Sequence, residues 1–191
     1  LSLAVFTDDT NAARSDEEVS MKARMLATLL AMSLVLSAAG SLRAQPREQL
    51  GKVVFENSCA PSVQVQLQQA VAMLHSFRFG EGEKAFRDVL AQDPSCAIAD
   101  WGIAALLMSN PLAGIGPPPQ WAERGRAAVD EGRGIGAKTQ RERDYIEAVA
   151  AYYKDWANRP ERTRQIDRAR AFETLAARYP ADDEAQIFYA L

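Results

Sequence analysis

From Ser62 to Phe79 apolar residues return at helical intervals, at Val63, Leu67, Ala70, Val71, Leu74 and Phe77, before Gly80 and Gly82 interrupt the run. A stripe with a period near 3.6 predicts a first helix with one face turned to a core. A second is predicted from Glu83 to Gln92, with Ala85, Phe86, Val89 and Leu90 on one side. It stops at Asp93-Pro94, because a residue before proline is pushed out of helical geometry. Cys96 to Ser109 forms a third, strongly apolar helix. The loop Asn110-Pro111-Leu-Ala-Gly-Ile-Gly-Pro-Pro-Pro119 follows, held open by its prolines and glycines.

A fourth helix is predicted from Gln120 to about Arg133, ended by Gly134 and Gly136. Thr139 and Glu142 stand at capping-box spacing and start a fifth, which reaches about Trp156 with Ile146, Val149, Ala150 and Tyr153 on its stripe. Asn158 to Pro160 breaks the chain. A sixth helix covers Thr163 to Tyr179, with Ile166, Ala169, Phe172 and Leu175 facing inward, and Pro180 ends it. A seventh starts near Asp182 and runs to Leu191. Ahead of them all, Val53 to Phe55 is β-prone and reads as an extended lead-in before Pro61 opens the first helix. The fold class is therefore all-α.

Composition narrows this picture in two places. A chain of 191 residues, 48% hydrophobic and 25% charged, suits one domain of moderate size. Its net charge of -3, with Lys and Arg scattered among Asp and Glu, makes no field that would hold nucleic acid. The second place is the N-terminal quarter. Met21-Lys-Ala-Arg, the apolar run Met25 to Ala39 and the small residues up to Ala44 have the layout of a secretory signal peptide. The run is short for a membrane span of about 20 apolar residues. A periplasmic or secreted protein is expected, without stable membrane insertion once the segment is cleaved.

Residues 1–20 are polar and acidic, and would spoil the positive start of that segment; they are expected to be a non-native extension ahead of a start at Met21. Cys59 lies too far beyond the apolar run to carry a lipid anchor. The expected organisation is thus extension 1–20, signal peptide 21–44, extended lead-in 45–61 and helical domain 62–191.

Two stretches repeat each other. Phe86-Arg-Asp-Val-Leu-Ala-Gln-Asp-Pro94 matches Phe172-Glu-Thr-Leu-Ala-Ala-Arg-Tyr-Pro180 in spacing, and an alanine follows each proline at the same distance, Ala99 and Ala185. With Ala70, Phe79, Phe86 and Pro94 in one unit, and Ala104 one unit after Ala70, the chain resembles the tetratricopeptide repeat, a helix-turn-helix unit of about 34 residues. Asn110 to Arg162 departs from that pattern, and the match from Phe172 onward is half a repeat. Leu50-Gly-Lys-Val-Val-Phe, Ala72-Met-Leu-His-Ser-Phe77, Trp101-Gly-Ile-Ala104 and Glu142-Arg-Asp-Tyr-Ile146 are similar to a group of exported bacterial tetratricopeptide proteins. The resemblance covers roughly residues 50–191 and implies that further repeats follow in the intact protein, since a last helix without a polar cap leaves its face unpaired.

In the repeat frame Leu67, Val71, Leu74, His75, Trp101, Ala105 and Met108 fall on the concave side, where such scaffolds hold a protein or peptide partner. The competing expectation is that this stripe is core, covered by Val53 to Phe55 or by a neighbouring helix. Gln66 and Gln69 suit a first repeat with nothing before it.

Cys59 and Cys96 each precede a predicted first helix of a pair. Such helices run parallel with their starts on one side, so a disulfide is geometrically reasonable and two unpaired buried thiols are the alternative. A Cys-x-x-Cys redox pair is absent from the sequence.

His75, the sole histidine, has no partner at metal-site spacing and reads as a packed helix residue. Tyr152, Tyr153 and Trp156 are either aromatic anchors for a partner or packing against the sixth helix. With no phosphate loop, nucleophile elbow or metal set, the expectation is a non-catalytic binding scaffold with no cofactor and no metal. Two rivals stand: an envelope enzyme whose active site lies in a C-terminal region beyond this chain, and a structural assembly subunit.

Overall fold

The structure is a computed structural model that describes residues 50–191, together with Met21. The expectations placed on residues 1–20 and on the signal segment, Met21 itself apart, lie outside the described residues. Seven α-helices make up the described chain: α1 Gln64–His75, α2 Phe79–Gln92, α3 Ala97–Leu107, α4 Pro119–Ile135, α5 Gln140–Tyr153, α6 Glu161–Arg178 and α7 Asp183–Ala190. Short 3-10 turns precede α1 at Pro61–Val63, follow α3 at Pro111–Ala113 and follow α5 at Trp156–Asn158. Among the described residues there is no strand, so the fold is all-α. No helix among them is long and apolar enough to cross a membrane.

Consecutive helices pack on one another, and α3 lies at the centre, against α1, α2, α4 and α5. Each residue of α3 is buried, which its nearly unbroken apolar sequence requires, since a helix without a polar face must be enclosed on all sides. Close approach to its neighbours needs small residues at the crossings. A Cβ on Gly102 of α3 would fall inside the Phe86 ring of α2, and one on Gly125 of α4 would meet the Tyr153 hydroxyl of α5. Gly102→Ala is therefore expected to lower stability by about 1–3 kcal/mol through overpacking, despite alanine's better helix propensity. Denaturant unfolding measures this, and an unchanged or raised midpoint would show that α2 can retreat freely.

The first inter-helix turn differs from its expected place. The break falls at Ser76–Arg78, and Gly80 and Gly82 lie inside α2. The turn is closed by Phe77 N–H donating to the Leu74 carbonyl and Arg78 N–H to the Met73 carbonyl, the two bonds of a Schellman motif. Phe77 occupies the left-handed position at φ 54°, a place glycine usually takes, and this is why the sequence pointed to the wrong residues. On α5 the capping box forms as its residues prescribe: Thr139 Oγ1 accepts from Glu142 N–H while the Glu142 carboxylate accepts from Thr139 N–H. That helix ends at Tyr153, short of Trp156, because Asp155 turns into the left-handed region at φ 47°.

The phase of α6 also differs. Ile166 is 42% exposed and Ala169 is exposed, whereas Arg164, Arg168, Phe172, Leu175 and Ala176 face inward. At 3.6 residues per turn Ile166 lies roughly 120° from Phe172, while Arg168 lies only about 40° away. Long arginine stems supply apolar surface, and Arg164 lies with its guanidinium carbon 4.7 Å from the centre of the Tyr152 ring while also pairing with Glu161.

The described part of the lead-in, residues 50–61, is bound to α1 and α5. Phe55 N–H donates to Gln68 Oε1 (2.7 Å), and Gln68 Nε2 donates to the Phe55 carbonyl (2.9 Å), so one side-chain amide satisfies both backbone groups as a neighbouring strand would. The Phe55 ring is thereby stacked on Trp101 (centroids 5.0 Å apart) and meets Tyr145 edge-on at 5.3 Å. Two carboxylates hold the segment that follows. Glu142 accepts from Ser58 N–H and Oγ, and Asp93 accepts from Ala60 N–H while capping its own turn through Ser95. Burial raises the Glu142 pKa, but the Ser58 and Thr139 hydrogen bonds outweigh it and leave the group below its ordinary value. Between these anchors Cys59 is disulfide-bonded to Cys96 at the start of α3, with Cα atoms 4.8 Å apart.

Candidate functional site

The seven residues of the expected concave face divide into two groups. Leu67, Val71 and Trp101 have no exposed surface. Phe55 lies flat against one side of the Trp101 indole, and Phe188 of α7 meets that indole edge-on at 5.1 Å, so this part of the stripe is core and is closed to a partner. Tyr152 and Tyr153 are likewise interior. The Tyr152 hydroxyl donates to Glu161 and the Tyr153 hydroxyl to the Ala104 carbonyl (2.6 Å), and burial pushes both phenols well above their ordinary pKa.

Leu74, His75, Ala105 and Met108, at the C-terminal ends of α1 and α3, line a cavity of about 230 Å³. Phe77 and Phe79 enter it from the Schellman turn and the start of α2, Arg168 from α6, and Ile187 and Phe188 from α7. Its rim carries Leu112 of the 3-10 turn after α3, where Asn110 Oδ1 accepts from the Leu112 N–H and holds the turn in place. Leu112 and the nearby Ile115 are among the most exposed large apolar side chains of the described residues.

Two polar groups interrupt the apolar wall. His75 Nε2 is 2.7 Å from Glu184 Oε2, and its ring stacks on Phe188 at 5.3 Å, so α7 is joined to α1 by both a polar and an aromatic contact. Ser109 also lines the cavity, at φ 67°, but it is not hydrogen-bonded to His75, and the three side chains do not form a nucleophile–base chain. The second group is Arg168, only 5% exposed. Its Nε donates to Gln165 Oε1 (3.0 Å), and no carboxylate pairs with it among the described residues. Burial pulls its pKa below the ordinary guanidinium value.

The repeat frame placed seven residues together, and four of them, Leu74, His75, Ala105 and Met108, line the cavity. It missed Arg168, and the signal was present: Arg164, Arg168, Phe172 and Leu175 share one face of α6 once the stripe is phased on Phe172. Among the described residues one group of metal-capable side chains converges, Cys59, Asp93 and Cys96, with ligand atoms within 4.8 Å of one another. The disulfide occupies both sulfurs, which leaves Asp93 as the one available donor of that group.

Fold and site together define an all-α protein with a small apolar cavity that holds a buried cation. Compared with known proteins, the chain matches no family model, no curated protein and no solved structure.

Proposed function

We propose that the chain is a non-catalytic, tetratricopeptide-like binding scaffold of the bacterial cell envelope, and that it takes a protein or peptide partner at the mouth of the cavity bounded by α1, α3 and α7. The observation that carries this reading is the apolar rim. Phe77, Leu112 and Ile187 surround the opening and expose apolar surface to solvent, and such a cluster marks an interaction site more often than scattered single residues do. The repeat reading is supported by the packing order, in which α3 lies against both α1 and α5 as well as against its sequence neighbours. Export is supported by the layout of Met21 to Ala44 and by a disulfide, a bond that persists chiefly in oxidising compartments.

A photo-activatable residue placed at Leu112 is expected to give one discrete adduct in the envelope fraction, and the same probe at Val65, exposed on α1 away from the cavity, to give none. Ile187→Asp should abolish the Leu112 adduct. Equal labelling from both positions, or none from Leu112, would remove the partner reading.

A further inference from the structure

We infer that the cavity bounded by α1, α3, α6 and α7 is a binding site for an aliphatic monocarboxylate, with the apolar tail against Leu74, Met108, Ile187 and Phe188 and the carboxylate on the Arg168 guanidinium. This goes beyond the docking of a protein partner, and does not depend on it. Arginine stays protonated in proteins, so Arg168 cannot relieve its burial by losing a proton as a lysine would. A buried cation is ordinarily paired; its neighbour Arg164 gives one terminal nitrogen to Glu161, while its Nε and other terminal nitrogen stay buried without a hydrogen-bond partner. Glu161 is also the acid whose field reaches Arg168, but its oxygens are taken by Tyr152, Arg164 and Gln165. Glu184 of α7 is held by His75. Arg168 is therefore left with one hydrogen bond, from Nε, and its two terminal nitrogens supply a donor fork that suits the two oxygens of a carboxylate.

The cavity then sets the rest of the ligand. Its volume of about 230 Å³, set against a share of roughly 30 Å³ for a water-sized group, holds on the order of eight non-hydrogen atoms. The walls are aliphatic and aromatic, and they favour an unbranched hydrocarbon tail over a sugar or a nucleotide. A phosphate would arrive with more charge than one guanidinium offsets, against walls that are mostly apolar. A neutral apolar molecule would fill the cavity and leave the arginine desolvated without a partner. A short fatty acid meets both demands at once.

The test is calorimetric titration of the protein with hexanoate, and separately with hexan-1-ol, which has the same tail and no charge. Hexanoate is expected to bind at least about tenfold more tightly than hexan-1-ol, the scale of a lost charged hydrogen bond. Arg168→Gln should remove that preference and leave hexan-1-ol binding unchanged, and Ala105→Phe, which fills the cavity from α3, should weaken both ligands. Equal affinity for the acid and the alcohol, undiminished hexanoate binding by Arg168→Gln, or no hexanoate binding at all would each overturn the assignment. Should Arg168→Gln fail to fold, the acid–alcohol comparison on the unaltered protein, with Ala105→Phe as the cavity control, decides it alone.

Discussion

Asp100→Asn is expected to stabilise the protein at pH 8 by about 2–4 kcal/mol and to change little near pH 4. Asp100 sits in the first turn of α3, is 1% exposed, and neither of its oxygens has a hydrogen-bond partner. Burial, reinforced by the Glu131 charge and opposed in part by Arg87, raises its pKa from 3.8 to about 7. Between those two values the native state keeps a proton that the unfolded chain has released. Stability therefore falls as pH rises from about 4 to about 7 and is level above that, the reverse of a salt-bridged carboxylate.

The carboxylates of Asp93, Asp144, Asp182 and Glu142 act in the opposite sense, since their pKa values are lowered and their contribution disappears as pH falls through the acid range. The two trends together place maximal stability on the acid side of neutrality. Asparagine keeps the shape of the side chain, cannot ionise, and still buries an amide, so its gain stays below the full linkage value. Urea unfolding of both proteins at pH 5 and pH 8 measures the effect. If the native protein loses no stability between those values, Asp100 has found water or a partner and the account fails.

Removing the Cys59–Cys96 disulfide should lower stability by about 4 kcal/mol, as the chain-entropy relation predicts for the closed loop spanned by a sequence separation of 37. Both cysteines are buried, so Cys59→Ala with Cys96→Ala leaves small apolar side chains in apolar surroundings, and the loss is chiefly that of the cross-link. The effect should be concentrated in the lead-in. Cys59 lies between the Ser58–Glu142 and Ala60–Asp93 contacts and four residues from Phe55, which covers Trp101. In the double variant the tryptophan fluorescence should therefore shift before global unfolding as Phe55 leaves the indole. Protease should cut within 50–58 while α1 to α7 remain intact. A double variant that loses less than about 1 kcal/mol would mean that those hydrogen bonds, and not the bridge, hold the segment, since a native disulfide of a small domain usually contributes more.

These two effects arise from contacts that differ greatly in how readable they were. The two cysteines could be paired in expectation because each stands just ahead of a helix in a repeating arrangement. Asp100 gave no such sign: an acidic residue early in a helix is ordinary, and nothing in the linear pattern says that α4 closes over it at Gly132. Arg168 is a similar case. Charged residues at helical spacing usually face solvent, and here the stems of two arginines complete a face that has too few apolar residues of its own.

Local rules therefore account for the elements themselves. The Thr139–Glu142 capping box and the stops at Asp93-Pro94 and Tyr179-Pro180 act within a few residues, and each is present where the residues prescribe it, whereas the inward face of α6 is not the one its apolar residues suggested. The placement of the first turn at Phe77 was beyond them, because the left-handed position is occupied by a phenylalanine whose ring enters the cavity wall. Only the tertiary structure decided how the concave stripe is used. Phe55, from a segment outside the helices, and Phe188, from α7, close over Trp101; Leu67 and Val71 are interior as well, and Leu74, His75, Ala105 and Met108 are left around a cavity with Arg168 in its wall. Helical periodicity states which face of a helix is apolar. Which part of that face meets another side chain, and which part meets a void, depends on residues far apart in the chain, and no local pattern encodes their distance.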